Sequence, residues 1–127
     1  VLVDRGSDQS RRPSYKEMKA VLAVGLDMLI YPEGSRNRTG DPLKSFYDGA
    51  FRLAVDTQKR IIPTIIFNSK NILPPSPSFC LMPGKIEMHF LPPVHVAGKT
   101  SKEVKEEVFE LMWNYYAKHQ QLLEGRI

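Results

Sequence analysis

One cysteine, three histidines and no long apolar run narrow what these 127 residues can be. Cys80 cannot close an internal disulfide, which favours a reducing compartment. It sits in Phe79-Cys80-Leu81-Met82, so it reads as a small core or loop residue; a reactive thiol would need a partner base. No stretch of about 18 apolar residues occurs, so this chain holds no membrane-spanning helix, and its start does not read as a signal peptide. His89, His95 and His119 are scattered, without metal-ligand spacing, and no metal is expected. His89 alternates with apolar residues and is expected to face outward. The G-x-S-x-G elbow of serine hydrolases is absent. Gly98-Lys99-Thr100 has the tail of a P-loop, but Pro93 stands where the upstream glycine is required.

What is present suits one soluble-type domain: 42% hydrophobic and 25% charged residues. Eighteen Lys and Arg against 14 Asp and Glu give a net charge of +4, which fits an anionic partner such as phosphate, anionic lipid or nucleic acid. Arg11, Arg12, Lys16 and Lys19 make only a modest basic patch, diluted by Asp8 and Glu17. The chain opens on Val1-Leu2-Val3, which reads as the end of a strand and suggests a fragment whose upstream part is missing.

The pattern predicts strand, helix, strand, helix, strand, strand, helix. Ser14 and Glu17 fit a capping box before a helix that stops at Gly25. Residues 26–31 read as a buried strand, 45–58 as a helix, and 61–67 as a strand with Pro63 at an edge or bulge. Residues 71–83 read as a proline-rich loop and 84–91 as an alternating strand. Residues 101–123 form an amphipathic helix capped by Ser101, with Val104, Val108, Leu111, Tyr115 and Leu122 as its stripe. This order argues an α/β fold. The expected division is residues 1–97 as the body and 98–127 as a helix packing on it.

Polar loops follow two of these strands, where α/β proteins place ligands. The second is Pro32-Glu33-Gly34-Ser35-Arg36-Asn37-Arg38-Thr39-Gly40. Gly34 lets backbone N–H groups approach a ligand, Ser35 adds a hydroxyl, and Arg36 offers a fork matched to phosphate or carboxylate. Glu33 could orient that arginine or accept from a ligand hydroxyl. The set describes an oxyanion pocket, with phosphate as the expected ligand. The same composition also suits a polar turn with a surface ion pair.

Tyr31-Pro32-Glu33-Gly34-Ser35-Arg36-Asn37 resembles the F-P-E-G-T-R-S block of glycerophospholipid acyltransferases, in particular the lysophosphatidate (1-acyl-glycerol-3-phosphate) type. Further segments agree in order. Leu2-Val3-Asp4-Arg5 resembles the preceding block that ends in arginine. Phe46-Tyr47-Asp48-Gly49-Ala50-Phe51-Arg52-Leu53-Ala54 resembles the F-K-x-G-A-x-x-L-A helix, and Ile61-Ile62-Pro63-Thr64 the V-V-P-V strand. Residues 84–94 are similar to the strand closing the domain. The departures are Tyr31 for Phe, Ser35 for Thr and Asn37 for Ser.

The resemblance implies an incomplete glycerol-phosphate acyltransferase-like domain, a mixed sheet flanked by helices. It implies that Arg5 and Arg36 bind the substrate phosphate and that Glu33, Gly34 and Ser35 shape the acceptor pocket. The family's catalytic N-H-x-x-x-x-D pair does not occur: five residues after His89, His95 and His119 stand Val94, Thr100 and Glu124. No catalytic residue is therefore expected in this chain, and the fragment alone is expected to be inactive. The implied reaction moves a fatty acyl group from acyl-CoA or acyl carrier protein to lysophosphatidate or a related lysophospholipid. It needs no cofactor, takes place at the cytoplasmic face of the membrane, and involves no nucleic acid. The membrane attachment would be peripheral, or anchored by missing upstream sequence. An exposed sheet edge offers a route to self-association. The competing readings are a phospholipid-binding protein that lost its base and, less favoured, a nucleic-acid module.

Overall fold

The computed structural model describes residues 8–74 and 80–124, the side chains of 8–12 and 122–124 excepted. Six elements follow in order: α1 (Asp8–Ala23), α2 (Gly49–Thr57), β1 (Thr64–Phe67), α3 (Ser69–Ile72), β2 (Glu87–Phe90) and α4 (Ser101–Glu124). The α/β class holds. Among the described residues the sheet is one antiparallel pair, with Thr64 opposite Phe90 and Phe67 opposite Glu87. Pro63 closes β1 at its start, yet its carbonyl still accepts from the Leu91 N–H at 2.9 Å. A single bridge between Ile61 and Val94 extends the pairing beyond it.

The core lies between this pair, α2 and α4. Phe51, Leu53, Val104 and Val108 are almost wholly shielded, and Val104 is 0% exposed. Each such side chain contributes about 1.5–3 kcal/mol by leaving water. Phe46 precedes α2 but belongs to the core: its ring stacks on Phe51 at 5.8 Å and meets Phe109 edge-on at 5.0 Å. Lys105 on α4 pairs with Asp48 at 2.6 Å, which ties α4 to the start of α2. That hydrogen bond, then the Lys105 charge, holds the Asp48 carboxyl below its usual range. On the other side α1 docks on α2, where the Tyr15 hydroxyl donates to Asp56 at 2.6 Å and Lys19 pairs with the same carboxylate at 3.2 Å.

Several expectations change. Helix α1 starts at Asp8, so Ser14 is buried inside it and cannot be its capping residue. Pro13 also lies within the helix. Gly25, at φ +86°, does follow its end. The cap of α4 is Thr100 rather than Ser101: the Thr100 hydroxyl accepts from the Glu103 N–H at 3.2 Å, and Glu103 accepts from the Thr100 N–H at 2.8 Å. Helix α2 starts at Gly49, four residues later than the apolar spacing suggested.

Residues 26–31 are neither a strand nor buried. They carry no regular structure, and Leu26, Leu29, Ile30 and Tyr31 are exposed. An apolar run of this kind needs cover on both faces, as in a central strand, and no described segment pairs with it. By the described residues the sheet is also covered on one side only. Ile65 and Phe67 face α4, whereas Met88 and Phe90 point away and are exposed, beside exposed Ile62 and Ile86. Glu87 and His89 therefore turn inward, the reverse of the expected orientation.

Candidate functional site: a braced polar loop

The loop after residue 31 is built by two sets of hydrogen bonds. In the first, residues 32–35 run beside residues 44–47. The Tyr47 N–H donates to the Pro32 carbonyl at 2.9 Å, the Lys44 N–H donates to Glu33 Oε2 at 3.0 Å, and Lys44 Nζ donates to Ser35 Oγ at 2.6 Å. A tight turn, with the Gly34 N–H on the Tyr31 carbonyl at 3.1 Å, starts the loop. Gly34 is required there twice over. Its φ is +66°, and a Cβ would lie 2.6 Å from Tyr47 Cε2.

The second set centres on Asn37. Its Oδ1 accepts from the Thr39 N–H at 2.9 Å and the Thr39 hydroxyl at 2.6 Å, and its Nδ2 donates to the Asp41 carbonyl at 3.0 Å. Such an Asx arrangement fixes a turn without regular structure. Lys70 reaches across from α3 and donates to the Thr39 carbonyl at 3.0 Å.

Arg36 stands between the two braces. Its side chain is exposed, and it makes no hydrogen bond or ion pair with any described residue. Among the described residues its guanidinium thus has no partner, and the Lys44 and Lys70 amino groups are held at Ser35 and Thr39, on either side of it in the sequence. Each of those ammonium groups uses one donor internally and retains two. Arg38, also exposed, adds a fourth cation, against the carboxylates of Glu33 and Asp41. Planar guanidinium forks and ammonium point charges are side-chain groups suited to oxyanions such as phosphate.

The expected site residues fall out as follows. Glu33, Gly34, Ser35 and Arg36 lie together on the loop. Glu33 makes no contact with Arg36 among the described residues; its Oε2 accepts from the Lys44 backbone N–H. Arg5 lies outside the described residues. Lys44 and Lys70 were missed by the sequence reading. Neither has a periodic or motif signature, since each is recruited by tertiary geometry, Lys70 from 31 residues beyond its acceptor.

A second group of polar residues gathers where β2 meets α4. His89 Nε2 lies 3.2 Å from Glu87 Oε2, and His89 Nδ1 lies 2.9 Å from the Tyr115 hydroxyl. Hydrogen bonding by His89, then by Lys85, holds the Glu87 carboxyl below its usual range. The His119 ring packs on Phe67 at 4.2 Å and meets the His89 ring at 4.9 Å. The expected scatter of histidines is therefore false in space for two of the three.

Comparison with known proteins places the loop in a family. The family described as Acyltransferase matches residues 1–67, just over half the chain. Mouse 1-acyl-sn-glycerol-3-phosphate acyltransferase alpha is 33% identical over 86 residues, 68% of this chain and 30% of that protein. The 1-acyl-sn-glycerol-3-phosphate acyltransferase of Borreliella burgdorferi is 32% identical over 71 residues, 56% of this chain and 28% of that protein. The chain thus spans less than a third of these relatives. The crystal structure of the 1-acyl-sn-glycerophosphate (LPA) acyltransferase PlsC from Thermotoga maritima shares the fold. Its TM-score is 0.74 at 23% identity, over 84% of this chain and 44% of that one. The braced loop lies wholly inside the matched residues, and the chain belongs to the acyltransferase family.

Proposed function

We propose that the chain forms the acceptor-binding part of a lysophosphatidate acyltransferase. The observation that carries this reading is Arg36, exposed and without a hydrogen-bond or ion-pair partner among the described residues, between two hydrogen-bonded braces of the matched loop. Arg36, with Arg5 from the preceding block, grips the phosphate of the acceptor. Gly34 and Ser35 line the glycerol-phosphate pocket, and Glu33 shapes it by holding the loop against Lys44.

In the whole enzyme a general base removes the proton from the acceptor hydroxyl, and the oxygen attacks the thioester carbonyl of acyl-CoA or acyl carrier protein. The tetrahedral intermediate collapses to the new ester, and the thiol leaves with a proton. These 127 residues contain no N-H-x-x-x-x-D pair to act as that base, so they bind acceptor but do not turn over alone. No cofactor enters this chemistry. The enzyme works at the cytoplasmic face of the membrane. Exposed Arg36 and Arg38 suit an anionic lipid surface. No described helix is long and apolar enough to cross a membrane. The uncovered face around Met88 and Phe90 packs on further parts of the enzyme, and makes the isolated piece prone to self-association.

The test is Arg36→Ala in the complete enzyme. A charge-assisted hydrogen bond is worth about 1.5–3 kcal/mol, so KM for the phosphorylated acceptor rises about 10- to 150-fold with kcat little changed. An unchanged KM rejects the phosphate role. The exposed loop arginines also suit a second reading, a non-catalytic binder of anionic phospholipid. That reading predicts vesicle binding that needs Arg36 in a full-length protein without acyl transfer.

A further inference from the structure

We propose that Glu87, His89 and His119 form a binding site for a zinc-class divalent metal that joins β2 to α4. One ligand atom from each residue lies within 4.8 Å of the other two. The pair of known spacing, His89 Nε2 and Glu87 Oε2, is 3.2 Å apart. Tetrahedral bonds of about 2.0 Å set neighbouring ligand atoms about 3.3 Å apart, so this pair needs almost no rearrangement. Two imidazoles and one carboxylate are also a donor set that suits zinc, with a fourth position left for water.

A second observation comes from His119. Its Nε2 is shielded from solvent and has no hydrogen-bond partner among the described residues. A buried ring nitrogen in that condition calls for an unseen partner such as an ion or water. The ring itself is held by packing on Phe67, so it is positioned whether or not the nitrogen is satisfied.

The surroundings agree. With metal on His89 Nε2, the proton shared there with Glu87 is replaced, Nδ1 becomes the protonated nitrogen, and it donates to the Tyr115 hydroxyl at 2.9 Å. That is the outer-shell hydrogen bond that ligating histidines need to fix their tautomer. Lys85 pairs with the other oxygen of Glu87, at 3.3 Å from Oε1, and leaves Oε2 available. Glu87 and His89 are half-buried, so an ion can enter from solvent. Since the ligands come from a strand and from the far end of a long helix, the ion would act structurally, clamping α4 to the sheet. This inference is independent of the phosphate-binding loop.

The test is titration of the metal-free protein with zinc alone, followed by calorimetry and thermal denaturation. The expected result is one saturable ion per chain and a higher Tm with zinc. His119→Phe, which keeps the ring packing on Phe67, and Glu87→Gln should each weaken binding at least about tenfold and abolish the rise in Tm. In the wild-type protein, cobalt should perturb the NMR signals of the His89 and His119 rings but not of exposed His95; this readout does not depend on any variant folding. Absence of saturable binding, binding unaffected by both substitutions, or a thiolate-to-cobalt band that places the ion on Cys80 would each overturn the proposal.

Discussion

Glu33 is the residue where the family motif and the geometry make different demands, and its replacement separates them. Its Oε2 accepts from the Lys44 N–H at 3.0 Å, across 11 residues, in a half-buried position. Glu33→Ala removes a charge-assisted bond and leaves that N–H to partial rehydration. Charged hydrogen bonds are worth about 1.5–3 kcal/mol, and access to water lowers the loss to about 1–2 kcal/mol. For a domain of this size that is a fall in Tm of roughly 4–8 °C. If the brace also holds Arg36 in place, the affinity for glycerol 3-phosphate falls by up to about 5- to 30-fold. Glu33→Gln keeps a carbonyl oxygen for the same N–H, so it should lose no more than about 1 kcal/mol and change affinity by no more than about fivefold. Thermal denaturation and calorimetric titration with glycerol 3-phosphate measure both quantities on the same samples. An alanine variant with wild-type Tm but weakened binding would mean that Glu33 touches the ligand, and the brace account would be wrong.

Other consequences are as direct. Gly34→Ala should cost about 1–2 kcal/mol for its positive φ, plus displacement of the Tyr47 ring; in a Tyr47→Ala background only the backbone part should remain, measured by denaturant unfolding. Tyr15 has its phenol pushed up to about 12, first by burial and then by the hydrogen bond to Asp56 and its charge. A raised acid of this kind stabilises the fold below the unfolded value of about 10, and the contribution disappears as pH climbs from about 10 to 12. The wild-type spectrophotometric titration should therefore show a late-ionising component that Tyr15→Phe removes. Asp56 behaves in the opposite sense: its carboxyl is lowered, first by the Tyr15 hydrogen bond and then by Lys19, so its contribution is present above the unfolded carboxylate value and fades as pH falls below it. Acid unfolding of Asp56→Asn should accordingly be less pH-dependent than that of the wild type. Val104→Ala, at the most shielded position of α4, should cost about 1–3 kcal/mol by chemical denaturation, and an effect under about 0.5 kcal/mol would show that α4 is not core.

The sequence carried local signals well and long-range ones poorly. Helix α4 has 24 residues of apolar periodicity and was read almost to its ends, although its cap moved one residue to Thr100. Ser14 and Glu17 have capping-box spacing, but spacing does not reveal that the helix already runs through Pro13. In β2 the alternation was correct and its sense was not. A period of two sorts side chains into two sets, and only the position of α4, remote in the chain, decides which set is covered. The same gap hid the histidine cluster, because His89 and His119 meet only when α4 lies along the sheet. Residues 26–31 look like a core strand because they are apolar, and apolarity records the need for cover rather than the cover itself. The polar loop was readable from its own residues, whereas its hydrogen-bond partners Lys44 and Lys70 were not.

Titration of the purified protein with glycerol 3-phosphate, followed by NMR of the arginine side chains and the backbone amides, addresses the proposed site without needing turnover. Saturable shifts at Arg36 and at the amides of Gly34 and Ser35, lost in Arg36→Ala, are the expected result. Shifts that spare residues 33–36, or that survive removal of the Arg36 guanidinium, would show that the acceptor phosphate is held elsewhere.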